Sequence, residues 1–350
     1  MSPDSVPHLL SDPAAVRREF PLLAREGLHY LDSAATAQMP QAVIDALHRF
    51  GTSLRANVYG GVYRLAREAL AEYEAARADI ARFTGASSPK EVVFTYGTTS
   101  ALNLLAHSFG ERLREGDEIV LSSLEHHSNT LPWRALAQRR DLKIRVLPVT
   151  ADGRIDLRRL SNLVPKRCRL IAVTHCSNVT GAITDVAAVV AAARSVGAAV
   201  ALDGAQRAPH GPIDVQGLGI DFYAFSGHKT SGQRGLASCG VDWAAVSERE
   251  RALTARLLQA MAGLNRVRII GPPTTEARRG VVSFTVSGLS SEEVCRRCDR
   301  YGLALRHGHH CAQPLMIALG IEGTARASLA PYTTDEDIDQ LVTALAEIAR

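Results

Sequence analysis

Between residues 91 and 239, short apolar runs alternate with longer amphipathic stretches. The runs cover residues 91–96, 118–122, 143–149, 170–174, 198–202, 222–225 and 235–239. Each is rich in branched or aromatic side chains, as expected of strands buried on both faces. Residues 99–109 and 185–195 carry helical periodicity. Strands separated by helices predict βα units and a mostly parallel central sheet, hence an α/β fold. From residue 243 the pattern changes. A long helix is expected over 243–263, strands over 267–270 and 281–286, and a helix over 292–301. A short strand at 303–305 and a terminal helix over 334–349 complete a smaller α+β region. Thr334 is followed by three acidic residues, a helix start with favourable first-turn charge. The expected division is a large domain over 20–242 and a small one formed by 1–19 with 243–350.

Composition narrows the function classes. The chain of 350 residues is 46% hydrophobic and 22% charged, with a net charge of +4 and no concentrated basic tract. Aromatics are only 5%, which gives little support to a base-stacking nucleic-acid surface. The alanine- and valine-rich stretch 186–201 is too short for a membrane span and is broken by Arg194 and Gly197. The first residues lack the apolar core of a signal peptide. Six irregularly spaced cysteines fit a reducing cytoplasm. Cys295 and Cys298 form a C-x-x-C, readable as half a metal site, a redox pair or two ordinary positions on a helix.

Ligands in parallel sheets bind beyond the carboxyl ends of the strands. Thr98, Asn178, Asp203 and Lys229 each fall just after an apolar run. A lysine after one strand and an aspartate ending another suit pyridoxal phosphate (PLP). The lysine would hold the aldehyde covalently, and the carboxylate would keep the pyridine nitrogen protonated, so that the ring can accept electrons. Gly97-Thr98-Thr99-Ser100 opens a helix and offers N–H groups and hydroxyls to a phosphate, or merely caps the helix. Ser226 and His228 flank the lysine. His126, in Glu125-His-His-Ser-Asn129, is placed to stack on a ring and move protons, or lies in a plain loop. Adjacent histidines on an extended segment point to opposite faces, which disfavours a shared metal. Cys311, in Arg306-His-Gly-His-His-Cys311, offers a nucleophilic sulfur.

These segments, with Tyr30-Leu-Asp-Ser-Ala-Ala-Thr36, Thr174-His-Cys-Ser-Asn178, Asp203-Gly-Ala-Gln206 and Arg326-Ala-Ser-Leu-Ala330, resemble cysteine desulfurases of the sulfur-mobilisation (SUF) type. That group includes selenocysteine lyases and lies within the class V aminotransferases, PLP-dependent transferases of fold type I. The resemblance runs from about residue 14 to the C-terminus. It implies that Lys229 holds the cofactor and moves the α-proton. Asp203 would pair with the ring nitrogen, Gln206 and Asn178 would flank the ring hydroxyl, and His126 would stack on the ring and act as an acid. Thr98, Thr99, Ser226 and His228 would hold the phosphate. Arg326 would bind the substrate carboxylate bidentately, with Arg306 and Asn178 helping to place the substrate. Cys311 would take sulfur from L-cysteine as a persulfide, leaving L-alanine, and pass it to an acceptor protein or pathway enzyme. His309, His310 and Arg306 would favour its thiolate. A homodimer is implied.

The chain departs from that family after Lys229. Relatives carry several dozen more residues before the helix expected at 243. That part includes a glycine-rich hairpin over the active-site mouth and a threonine that reaches the partner subunit's phosphate. Residues 58–64 and 230–234 also differ. A more open pocket and a weaker phosphate grip are expected. Alternative readings are another class V reaction (selenocysteine lyase, C–S lyase, aminotransferase or epimerase) or a PLP-binding paralogue with little or no activity.

Overall fold

The structure, a computed structural model, describes residues 13–231 and 242–350. In chain order it runs α1 (Pro13–Arg18), β1 (His29–Tyr30), α2 (Gln41–Arg49), α3 (Arg64–Thr84), α4 (Thr98–Ser108), β2 (Glu118–Ser122), α5 (Leu131–Arg140), β3 (Lys143–Leu147), α6 (Leu160–Leu163), β4 (Cys168–Thr174), α7 (Val186–Val196), β5 (Ala199–Asp203), α8 (Val215–Leu218) and β6 (Phe222–Ala224). The remainder comprises α9 (Trp243–Ala262), β7 (Val267–Ile270), β8 (Val281–Val286), α10 (Ser291–Asp299), β9 (Leu303–Ala304), β10 (Arg306–Gly308), α11 (Gln313–Leu319), β11 (Thr324–Ser328) and α12 (Asp335–Ile348).

Five strands form a parallel sheet in the order β3-β2-β4-β5-β6. Its strands β2 and β4 are buried almost throughout, which is why their sequences read as continuous apolar runs rather than alternating ones. Leu121, Leu170, Ala172 and Trp133 pack on one side of the sheet. Val120, Ile171, Val173, Leu202 and Val189 pack on the other. A second, antiparallel sheet runs β10-β11-β8-β7. It is covered by α9, α10 and α12, which set Leu257 and Met261, Val294 and Cys298, and Leu341 and Leu345 against Phe284 of β8. β1 pairs in parallel with β9, and Leu31 joins this second core. The N-terminal strand thus forms a two-stranded sheet with a C-terminal strand, and Asp32 beyond it bridges Ser328 of β11. α12 starts with the Thr334/Asp337 capping box.

Two sequence readings fare differently. Residues 91–96 were expected as a strand. Pro89–Glu91 is instead a 3-10 turn, and residues 92–96 form no strand and have no ladder partner among the described residues. Val93 and Tyr96 stand exposed. An apolar run becomes a strand only when a neighbour takes its N–H and C=O groups. The expected strand at 235–239 lies outside the described residues. Cys295 and Cys298 both lie on α10, buried, and burial pushes both thiols up to about 12.

Candidate active site

The register of the parallel sheet aligns three strand ends. Thr174 on β4 lies beside Asp203 on β5, and Asp203 beside Ala224 on β6. The chain leaves β6 through Ser226 into a 3-10 turn, Gly227–Lys229. A pocket of about 220 Å³ opens above these ends. Its wall includes Thr98, Thr99, His126, Asn178, Asp203, Gln206, Ser226, His228 and Lys229. All nine residues named from the sequence as cofactor contacts therefore meet in one place, together with Ser128, Thr174 and Cys176, which the sequence did not single out.

One end of the pocket is built for an anion. Gly97 precedes α4 with φ of 104°, a left-handed conformation. A Cβ there would stand 3.1 Å from Ser226 Oγ, so glycine lets the helix start against that serine. The Thr98 N–H donates to Ser226 Oγ at 2.9 Å, and the two hydroxyls pair at 2.7 Å. The Thr99 and Ser128 hydroxyls pair at 2.7 Å. Four hydroxyls thus gather at the positive end of a helix. His228 and Lys229 stand on the same wall.

The ionisable groups are displaced by burial. Asp203 is 4% exposed. Burial raises its pKa, opposed by the Ala205 N–H at 2.9 Å and by Lys229. Burial lowers the pKa of Lys229, against the pull of Asp203, with Arg326 pushing the same way as burial. A lysine shifted downward keeps more of its amine neutral, the form that can attack an aldehyde or take a proton. His126 is pushed down to about 4 by burial and then by Lys229. Its Nδ1 accepts the Ser128 N–H at 3.0 Å, so the ring proton sits on Nε2. The expected acid is therefore a neutral imidazole with one N–H to offer.

Two arginines meet on one carboxylate between the loop after β4 and the second sheet. Arg326, on β11 and 3% exposed, donates from Nη1 to the Asn178 carbonyl at 2.9 Å and from Nη2 to Asp32 at 3.3 Å. Its buried Nε has no partner among the described residues. A buried N–H without an acceptor is costly, and a substrate carboxylate would satisfy it. Arg306 is held on the same Asp32 at 2.7 and 3.0 Å. Nothing in the sequence around Asp32 marks it for a role. It is the carboxylate that gathers both arginines, found only through contacts across 274 and 294 residues.

Cys311 is exposed. Its loop is held from the pocket wall: Asn178 donates from Nδ2 to the His310 carbonyl at 2.8 Å. His310 and Cys311 both adopt positive φ, 51° and 54°, a region unfavourable to side chains other than glycine. The loop sits close enough for Cys311 to act electrostatically on Lys229 and Arg326. The expected thiolate-favouring charge on His310 is not there. Its Nε2–H donates to Thr324, 2.9 Å from the hydroxyl and 3.2 Å from the carbonyl. Burial pushes it down to about 3, so it is neutral. Arg306 spends its Nε and one Nη on Asp32.

Sequence reasoning also passed over Glu125. It is 1% exposed, accepts from Ser122 Oγ at 2.5 Å and from Asn129 Nδ2 at 2.7 Å, and burial pushes it up to about 8. Asn129 in turn accepts from Trp133 Nε1 at 3.0 Å. This buried chain fixes the turn carrying His126 and Ser128. Its spacing, Glu125 to Asn129 to Trp133 at intervals of four residues, was the available signal.

Comparison with known proteins agrees with this geometry. The sequence profile of the aminotransferase class-V family matches residues 29–239 and 238–341. A cysteine desulfurase of Serratia proteamaculans (strain 568) is 37% identical over 96% of this chain and 98% of its own length. Among solved structures, the cysteine desulfurase CsdA from Escherichia coli superposes with a TM-score of 0.86 at 34% identity, covering 96% of this chain and 98% of that one. The apo cysteine desulfurase from Thermococcus onnurineus NA1 gives 0.91 at 31% identity, covering 100% and 99%. With its strand-end lysine and aspartate, its helix-end hydroxyls and these matches, the chain belongs to the aminotransferase class-V family.

Proposed function

We propose that this protein is a PLP-dependent cysteine desulfurase of the SUF type. It converts L-cysteine to L-alanine and passes the sulfur through Cys311 to an acceptor. The observation that carries the reading is Asn178, which lines the cofactor pocket and also clamps the carbonyl before Cys311. One side chain thereby couples an electron-sink pocket to an exposed nucleophile. The donor set fits PLP: hydroxyls and a helix start for a phosphate, a buried carboxylate for a pyridine nitrogen, and a lysine with a lowered pKa for an aldehyde. When bound, PLP supplies the sink for charge left by α-proton loss.

The chain's own residues do the rest. Lys229, its pKa lowered by burial, would hold the aldehyde and take the α-proton. Asp203 balances positive charge at the ring nitrogen. Arg326 turns its unmatched Nε–H to the substrate carboxylate. His126 covers the ring face and offers its Nε2–H. Cys311, as thiolate, attacks the substrate sulfur. The S–S bond forms, the substrate Cβ–S bond breaks, and its electron pair stays with the carbon, which is protonated to give alanine.

Further parts of the reading are an internal shortening, a homodimer and a cytoplasmic setting. The alignment with the Serratia enzyme spans 399 positions. Since 96% of 350 residues is about 336, roughly 63 of those positions hold no residue of this chain. The family match breaks at residues 238–239, which supports a shortening there and a weaker hold on the phosphate. α2 buries no residue, and Leu47, Phe50, Tyr59, Val62 and Tyr63 are exposed. That apolar face suits a second copy of the chain, and a monomer by light scattering would refute it. The domains divide as 20–242, and 1–19 with 243–350.

The test is incubation with PLP and L-cysteine, assaying alanine, sulfide and protein persulfide. Equal alanine and sulfur, with persulfide on Cys311 lost in Cys311→Ser, is expected. Undiminished turnover in Cys311→Ser would transfer the protein to another class V reaction.

A further inference from the structure

The reading above leaves His127 without a task. Its neighbour His126 has extended backbone angles, φ −64° and ψ 149°, so the two side chains leave the chain on different sides. His126 lines the pocket. His127 faces the cysteine loop. Its N–H donates to the Cys311 carbonyl at 2.8 Å, and its ring Nε2 accepts the Gln313 N–H at 3.4 Å. The ring of His309 lies 6.1 Å away, centroid to centroid.

The loop needs such a grip. His310 and Cys311 are both held at positive φ, a conformation that persists only when surrounding contacts over-determine it. α11 starts directly after, at Gln313, and its N-cap Ala312 gives no side-chain hydrogen bond. The first helical N–H groups therefore need outside acceptors. Asn178 and Thr324 restrain the loop at His310, and His309 accepts the Cys311 N–H at 3.2 Å. His127 restrains the far side, at the Cys311 carbonyl and the Gln313 N–H.

We propose that His127 is a positioning residue for Cys311, gripping the loop by backbone and ring so that the nucleophilic sulfur is placed relative to whatever lies against His126. One peptide bond then fixes the offset between the ring-covering histidine and the nucleophile. The inference rests on Cys311 as the sulfur-accepting residue.

The test compares His127→Ala, His127→Asn and His127→Gln. A glutamine carries an amide oxygen near the position of Nε2 and can accept the Gln313 N–H; asparagine is too short. Amide hydrogen exchange at Gln313 is measured without cysteine. In the PLP-loaded protein mixed with cysteine, the cofactor's spectral change and the rate of persulfide formation on Cys311 are followed separately. Alanine and asparagine should speed exchange at Gln313 and slow persulfide formation at least about tenfold, as expected for a displaced reacting group. The spectral change should keep its rate, and glutamine should restore both quantities. Unchanged exchange, equal slowing of both steps, or a glutamine variant no better than asparagine would overturn the proposal. Failure of the Cys311 reading has a different signature, full turnover in Cys311→Ser, and leaves the exchange result intact.

Discussion

Asp32 holds two guanidinium groups of very different exposure, and replacing it by asparagine separates their contributions. The Arg326 side chain is 3% exposed and the Arg306 side chain 51%. Asp32→Asn keeps the shape and one acceptor oxygen but removes the charge. Arg306 can then turn into water, at a cost near that of an exposed ion pair, about 0–1 kcal/mol. Arg326 cannot. It is left as a buried cation with the Asn178 carbonyl as its remaining partner. Removing one member of a buried pair costs roughly 3–5 kcal/mol, and the surviving carbonyl bond argues for the lower end, about 3 kcal/mol. Urea unfolding followed by circular dichroism should show that loss for Asp32→Asn and about 1 kcal/mol or less for Arg306→Ala. The loss must run through Arg326, so Asp32→Asn combined with Arg326→Met should cost less than the two single changes added. A coupling of at least about 1.5 kcal/mol is expected from the cycle. Equal losses in Asp32→Asn and Arg306→Ala, or strict additivity in the cycle, would refute the reasoning.

Burial holds Glu125 up at about 8, so the folded state keeps this proton above the unfolded pKa. The stability it contributes is present at acid pH and is lost as pH rises toward 8. Glu125→Gln should remove that decline, and parallel stability–pH curves for the two proteins would contradict it. His126 and His310 are held down at about 4 and about 3. They bind protons more readily unfolded, so their contribution stands above pH 6.5 and is lost as pH falls through 4. An unfolding midpoint that fails to drop over that range, in a protein otherwise free of acid aggregation, would count against neutral buried rings. Gly97→Ala forces a side chain into φ of 104°, with its Cβ 3.1 Å from Ser226 Oγ. A loss of roughly 1–3 kcal/mol is expected, read as a fall in thermal midpoint, and an unchanged midpoint would show that the turn can relax.

The parts of the site that were legible in the sequence share a physical origin. Asn178, Asp203 and Lys229 follow apolar runs that became strands of the parallel sheet, as the run before Thr98 did not, and in such a sheet every strand must end on the same side. Chain position alone therefore brings them together. Of those apolar runs, residues 91–96 failed as a strand because a ladder needs a neighbour, and none pairs with them among the described residues. Charge states were less legible than positions. His126 and His310 looked like acids or cations, yet burial makes both neutral, and burial is a property of the packed fold. Asp32 was hidden for a related reason. Nothing local distinguishes it from any aspartate after a short strand until β1 pairs with β9 and β11 arrives beside it. These remote contacts also tie the two sheets together. Arg326–Asn178 and Asn178–His310 both join the loop after β4 of the parallel sheet to the β10–β11 region. Arg326 and the Cys311 loop are therefore coupled to the pocket wall through Asn178. Substituting Asn178 removes its side-chain bond to the His310 carbonyl and its side of the pocket wall but leaves the backbone carbonyl that Arg326 uses, so it should disturb cofactor hold and sulfur transfer together, whereas a change at His127 should disturb transfer alone.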